Sequence, residues 1–313
     1  MERCRLSDLP LPPPGKTGWP WTVETPSLPP VCLDGTLWPR ISIVTPSHNQ
    51  GRFIEETIRS VLLQGYPELE YIIVDGGSTD ESLDIIRRYE KWLTHWVSEE
   101  DGGQVDALSK GFRCLNGEYL NWLNSDDYLL PNALKTIACI TRIAPECDFI
   151  SGTRFFSTVE GEVLSLQSAQ FDLPFCIAGF PDFPQDSTFF SRKIWEKIGG
   201  LDDRFTYSFD TAFYAMGLRL SASFALTSAP ISVMHVYAAQ KSNRHDPKKN
   251  TEENLLKKEY MPRGLRARFI SQLSKTRFHP WAKVLSSLVF PNGQSTFARV
   301  EFDYMSGLWK RIT

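Results

Sequence analysis

The sequence predicts an α/β fold built on a mostly parallel, doubly wound sheet. Three observations carry this prediction. Short β-branched runs recur between residues 41 and 123, a segment of helical periodicity follows each, and each run ends in turn residues. Strands alternating with helices at this spacing are joined by right-handed crossovers, which align their carboxyl ends along one edge of the sheet.

The elements follow in order. "ISIVTPS" (41–47) is a β-branched run, and in "RFIEETIRSVLLQG" (52–65) Phe53, Ile54, Ile58, Val61 and Leu62 recur at helical spacing before Gly65. "LEYIIVDGGSTD" (69–80) is a strand with a polar end, and "ESLDIIRRYEKWL" (81–93) the next helix. "HWVSEEDGG" (95–103), "QVDALSKGFRCL" (104–115) and "YLNWLNSDD" (119–127) continue the alternation. Beyond residue 135 the pattern loosens into a mixed half. "CDFISGTRFFST" and "GEVLSLQS" read as a hairpin or mixed strands, "SRKIWEKIGG" and "DTAFYAMGLRL" as helices, and "FALTSAPISVMH" as a strand. Residues 1–40, rich in proline, read as an extended arm wrapped on the body through Trp19, Trp21 and Trp38. The expected organisation is this arm, a body at 41–243 (halves 41–134 and 135–243), and a basic, mostly helical extension at 244–313, with 251–275 helical.

Composition narrows the class. With 313 residues, 42% hydrophobic and 23% charged, the chain resembles an ordinary soluble globular protein. No apolar run approaches the ~20 residues that span a bilayer, and the first residues lack a secretory h-region, so a cytoplasmic protein is expected. Six scattered cysteines without a CxxC pair argue against zinc or disulfide frameworks. Residues 241–313 hold 15 Lys+Arg against 6 Asp+Glu, a net +9 within a chain of −3, so residues 1–240 carry −12. The basic segment reads either as contact with an anionic surface or as a solvated helical face. No nucleic-acid partner is expected.

Several common activities lack their motifs. No GxGxxG follows the first strand, and no GxxxxGK[ST], GxSxG or HExxH occurs. What remains is the sheet edge, where ligands of open α/β sheets bind. Its strand ends read "TPSHN", "DGGSTD", "SEEDGGQ" and "NSDD", all polar and three of them acidic. Adjacent carboxylates such as Asp126 and Asp127 repel and are costly to bury unpaired.

"ISIVTPSHNQGRFIEETIRSVL", "YIIVDGGSTDES", "EEDGGQVDALSKGF", "GEYLNWLNSDDYLLP" and "PQDSTFFSRKIWEKIGGLDDRFTYSFD" together resemble successive motifs of family 2 glycosyltransferases, and "MHVYAAQKS" does so weakly. The resemblance covers roughly residues 38–243 and implies the GT-A fold. It also implies an inverting transfer from a UDP-, GDP- or dTDP-sugar to a saccharide or lipid-linked acceptor, as in bacterial surface polysaccharide pathways. Such a reaction expels a nucleoside diphosphate, whose developing charge a divalent cation held by a carboxylate can stabilise. Oxygen ligands suit Mn²⁺ or Mg²⁺.

The family's Asp-x-Asp stands here as Asn124-Ser125-Asp126, which makes Asp126 the implied metal ligand, with Asp127 orienting the site or bracing the turn. The resemblance implies a nucleotide pocket of Thr45, Pro46, Ser47 and Asn49, with Asp75 accepting from the base and Gln104 and Asp106 nearby. Ser78 or Asp80 would cap the following helix. Lys110 is read as a phosphate partner or a solvated lysine, and His48 as pocket wall. The implied base, taking the acceptor hydroxyl's proton, is Asp210, with a helix N-cap as the plainer reading of that residue. Asp202 and Asp203 are assigned to a turn, and Trp195 to the core. Gln185 and Asp186 fall on the acceptor side. His235 is either a core histidine or a second metal or diphosphate contact. A sugar nucleotidyltransferase, disfavoured by the lack of a glycine-rich loop in "TPSHNQG", and a non-catalytic saccharide-binding relative are the alternatives.

Overall fold

The computed structural model describes residues 4–32, 34–168, 183–241, 246–260, 297–303 and 308–312. Four parallel strands, β1 (Ile41–Ser47), β2 (Leu69–Asp75), β3 (His95–Ser98) and β4 (Tyr119–Trp122), alternate with α1 (Gly51–Leu62), α2 (Ser82–Tyr89) and α3 (Gln104–Arg113). Their order across the sheet is β4-β1-β2-β3, so the chain reverses direction between β1 and β4. That reversal is the switch point at which open α/β sheets leave a crevice for ligands.

Both faces of this half are covered, which explains the unbroken apolar runs of its strands. Ile41, Ile43, Tyr71 and Ile73 join Ile54 and Ile58 of α1 and Ile85 and Ile86 of α2 in one core. Their sequence neighbours Val44, Ile72 and Val74 point the other way, onto Ala107, Leu108 and Phe112 of α3. The helix α3 comes so close to β1 that a Cβ on Gly111 would lie 2.5 Å from a methyl of Val44.

The second half adds β5 (Asp127–Leu129), α4 (Ala133–Ile143), β6 (Phe149–Ser157), β7 (Val163–Ser168), a 3-10 turn at Gln185–Ser187, β8 (Thr188–Ser191), α5 (Arg192–Ile198), α6 (Phe209–Arg219) and β9 (Phe224–His235). The strands β6 and β7 form the expected hairpin. The short β8 runs antiparallel between β4 and β6 and joins the halves into one sheet. The glycine stop of α5 is Gly199, in the left-handed region at φ 90°. Of the rings there, Trp195 packs in the core, 4.4 Å between centroids from Phe112, as expected.

The arm lies on the body. Buried Arg59 of α1 donates to the carbonyls of Pro10, Pro20 and Trp21, and Trp19 Nε1 donates to Leu129 O at 2.7 Å. The expected extension opens with the helix α7 (Pro247–Tyr260) and also contributes strands. The strands β10 (Phe297–Asp303) and β11 (Leu308–Ile312) prolong the sheet, β10 pairing in parallel with β9. The rest of the expected 251–275 helix, from 261 on, lies outside the described residues, as does Cys176; the five described cysteines are unbridged.

Close approach of α3 to β1 generates a test. Alanine at 111 gains helix propensity but must displace Val44. G111A is expected to destabilise the protein by about 1–3 kcal/mol, and Val44→Ala in the same chain should restore part of the loss, read by denaturant unfolding.

Candidate active site

The crevice is built from the ends of β1 and β4. At β1, Ser47 Oγ is buried without a hydrogen-bond partner among the described residues, an orphan hydroxyl at the crevice floor. Beyond it Asn49 sits at φ 53° and braces the neighbouring loop, its N–H donating to Ser78 Oγ at 2.7 Å and its Oδ1 accepting from Thr79 N at 2.8 Å. His48 is exposed, and its Nδ1 meets Gly76 O at 3.0 Å. Asp80 accepts from Gly51 N at 2.9 Å at the start of α1 and from Ser82 N at 3.0 Å at the start of α2. It is therefore the helix brace, while Ser78 serves Asp75.

Four residues expected in the nucleotide pocket, Thr45, Pro46, Asp75 and Asp106, are corrected. Thr45 is fully buried, its hydroxyl 3.1 Å from Tyr71 OH inside the core; Pro46 beside it is buried as well. Asp75, also fully buried, accepts from the N–H groups of Gly77 and Ser78 and the hydroxyls of Ser78 and Ser98 at 2.5–3.1 Å. Four donors around one carboxylate fix the loop's shape and leave no surface for a base. Asp106 likewise turns to its own helix start, accepting from Gly102 N at 3.0 Å and pairing with Lys110. The Gly102 hydrogen bond holds its carboxyl below the usual range. Lys110 also pairs with Glu99, on the solvated side of the two readings.

At β4 the acidic turn is gripped by backbone contacts. Thr57 of α1 donates to Ser125 O at 2.9 Å and Asp127 O at 2.7 Å. The strand β5 pairs antiparallel with β9, setting Asp127 opposite Met234. The Asp126 carboxylate is half-buried and accepts from Tyr237 OH at 2.8 Å. Asp127 is buried, with Oδ2 accepting from Asn124 Nδ2 at 3.1 Å and Oδ1 without a partner among the described residues. Desolvation pushes both carboxyls up, and the Asp126 and Asp186 charges push Asp127 further.

His235, expected as a core histidine or a metal or diphosphate contact, packs at the acidic turn. Its Nδ1 meets the backbone carbonyl of Asp126 at 2.8 Å and its Nε2 lies 3.8 Å from Glu56, while Phe53 and Tyr128 pack on the ring. The imidazole thus holds the acidic turn. Among the described residues no cluster of three His, Cys, Asp or Glu side chains could cage a metal. A single carboxylate does fit the way Mg²⁺-like cations bind, through one or two protein oxygens with substrate phosphates completing the shell.

The remaining wall comes from the second half. Gln185 donates through Nε2 to Trp122 O, and its Oε1 accepts from Asn124 Nδ2 at 3.4 Å. Asp186 is fully buried in an ion pair with Arg154 of β6 at 2.9 Å and also accepts from Ser232 Oγ, so it braces β6 against β9. Asp210, in the first turn of α6, accepts from Thr211 N at 2.7 Å. Desolvation raises its carboxyl, opposed by that hydrogen bond and by the Arg154 charge. Lys241 closes the circuit, donating to Gln104 Oε1 at 3.1 Å and to Thr206 O at 2.9 Å, three residues before α6. Gln104 in turn donates to Asn124 at 2.8 Å. Hydrogen bonds thus run from the acidic turn to the segment leading into Asp210, and Arg154 acts electrostatically on both Asp127 and Asp210.

Arg154, Tyr237 and Lys241 were not singled out by sequence reasoning. Tyr237 and Lys241 lie within "MHVYAAQKS", where a polar residue trailing a strand was the available signal. The Asp202–Asp203 stretch does form a turn, with Asp202 accepting from Arg204 N at 3.1 Å.

Comparison with known proteins agrees with this architecture. The profile of "Glycosyl transferase family 2" matches residues 42–221. An uncharacterised glycosyltransferase of Mycobacterium tuberculosis is 29% identical over 185 residues, 56% of this chain and 67% of its own. The Bacillus subtilis glycosyltransferase TuaG, named for teichuronic acid biosynthesis, is 44% identical over 96 residues, 29% of this chain and 38% of its own. Among solved structures, S. aureus TarS 1-349 in complex with UDP-GlcNAc superposes with TM-score 0.53 at 17% identity, covering 81% of this chain and 73% of that one. Mannosyltransferase PcManGT from Pyrobaculum calidifontis, in complex with GDP-Man and Mn²⁺, gives TM-score 0.50 at 19% identity, covering 82% and 75%. These two likenesses concern the fold, which is of GT-A type. With the family profile spanning more than half of its length, the chain belongs to glycosyl transferase family 2.

Proposed function

We propose that this glycosyltransferase moves a sugar, with inversion, from a nucleoside-diphosphate sugar to a saccharide or lipid-linked acceptor in surface polysaccharide synthesis. The observation that carries the reading is the hydrogen-bond chain that links the acidic turn after β4 to the segment leading into Asp210. Asp126 stands at the end of β4, Asp210 opens α6, and Lys241 and Arg154 connect their surroundings. The names of TuaG and TarS's bound UDP-GlcNAc support the substrate classes.

In this mechanism the nucleotide lies over the β1 end, near Ser47 and Asn49, with Gln104, Asn124 and Ser125 along its path. Asp126 would hold a divalent cation, Mn²⁺ or Mg²⁺, which when bound neutralises charge on the departing diphosphate. Asp210 accepts the acceptor hydroxyl's proton as the oxygen attacks the anomeric carbon from the face opposite the leaving group. Its desolvated setting suits a base, because a raised pKa strengthens proton affinity near working pH. The Thr211 hydrogen bond and, less strongly, the Arg154 charge oppose that rise. Among the described residues no helix is long and apolar enough to cross a membrane. The basic charge of residues 241–313 would bring the enzyme to an anionic lipid surface in the cytoplasm.

Turnover of labelled nucleotide sugars tests the base. D210N is expected to lower kcat by about 10²–10⁴-fold while nucleotide affinity stays within about threefold, an order-of-magnitude allowance for a group on the acceptor side. Full turnover by D210N would refute the assignment. A base works only when deprotonated, so activity should rise with pH through the Asp210 pKa. Because desolvation raises that pKa, the acid limb should lie above the usual carboxylate range. Thermal shifts with UDP, GDP and dTDP, each with and without Mn²⁺, should show one nucleotide stabilising the protein more in the cation's presence. Equal shifts with the cation left out would contradict Asp126 as a ligand shared with phosphate.

A further inference from the structure

The neutral residue at 124, where the family motif carries an acid, is the middle of a hydrogen-bond chain that runs in one direction. Lys241 Nζ donates to Gln104 Oε1 at 3.1 Å, Gln104 Nε2 to Asn124 Oδ1 at 2.8 Å, and Asn124 Nδ2 to Asp127 Oδ2 at 3.1 Å. An ammonium can only donate, and the Asp127 oxygen at the far end accepts. Both amides are therefore forced to point the same way, carbonyl toward Lys241 and NH₂ toward Asp127. Aligned amide dipoles between a cation and an acid strengthen one another. A side branch agrees in polarity: Asn124 Nδ2 also approaches Gln185 Oε1 at 3.4 Å, and Gln185 is oriented by donating its own Nε2 to Trp122 O.

We propose that Asn124 is a positioning residue whose neutral amide is required, as the central link of a relay tying Lys241 to Asp127 and Gln185. The relay deepens the reading of this crevice as the donor site and rests on it. It joins the start of α3, the acidic turn after β4, the 185–187 turn and the segment after β9, so it sets the spacing of the walls around Asp126. A carboxylate at 124 could still accept from Gln104. Toward Asp127 and Gln185, however, it would present acceptors to acceptors at 3.1 and 3.4 Å, with no donor between them. Restoring the family's acid should therefore harm this enzyme.

The test uses the full-length chain with N124D, D127N and the double variant N124D/D127N, which returns one acid and one amide to the pair in reversed polarity. N124D is expected to lower Tm by roughly 4 °C or more, the scale of a lost buried hydrogen bond in a protein this size, and N124D/D127N to recover at least half of that loss. Recovery beyond additivity is the signature of direct coupling. In turnover assays N124D should lose at least about tenfold in kcat, an order-of-magnitude figure for a displaced positioning group. An unchanged Tm in N124D, a double variant as unstable as the single one, or N124D turnover equal to or above wild type would each overturn the proposal. The stability cycle needs no turnover, so it judges the relay separately from the assignment of glycosyl transfer.

Discussion

Everything at this site depends on holding two adjacent carboxyl groups at the end of a buried strand. Asp126 and Asp127 both lose hydration, which raises both carboxyls, and the Asp126 charge raises Asp127 further. The fold offsets that cost with contacts from four directions. Thr57 of α1 and His235 of β9 grip the backbone of the turn, Tyr237 donates to one carboxylate, and Asn124 donates to the other. Within the turn the two carboxylates differ: the half-buried Asp126 accepts from Tyr237, and the buried Asp127 accepts from Asn124.

Topology supplies the position. Because β4 returns to the far side of β1, the loops after these two strands diverge and leave space between them. The antiparallel β8 then stitches in the second half, and the ion pair of Arg154 with buried Asp186 stiffens the wall beside Asp210. An unpaired buried guanidinium or carboxylate would be strongly destabilising. The same pair therefore supports the fold, and its Arg154 charge acts on Asp210.

The parallel half was legible in the sequence for a physical reason. Strands covered on both faces must be apolar throughout, and the helices covering them keep the 3.6-residue period, so "ISIVTPS" and "RFIEETIRSVLLQG" carry their own labels. The helices α5 and α6 were readable from their boundaries and period, and the hairpin β6–β7 from its short strand runs, although β7 is largely exposed. The strands β10 and β11 were not, since β10 pairs with β9, some 70 residues earlier in the chain, and β11 pairs only with β10. At the site, the acids were found, but not their partners. A strand-end aspartate such as Asp75 looks alike whether it binds a ligand or braces a loop, and only three-dimensional donors distinguish the two. Tyr237 and Lys241 stand 111 and 137 residues from the groups they touch, beyond the reach of any local pattern.

The central claim, that Asp126 and Asp210 serve a single reaction centre, is tested most directly by a crystal structure with Mn²⁺ and a nucleoside diphosphate, the metal located by its anomalous signal. The account predicts manganese against the Asp126 carboxylate, bridged to the diphosphate, with open space between that group and Asp210 wide enough for one sugar ring. Manganese and nucleotide bound away from Asp126, or a diphosphate separated from Asp210 by protein, would contradict it.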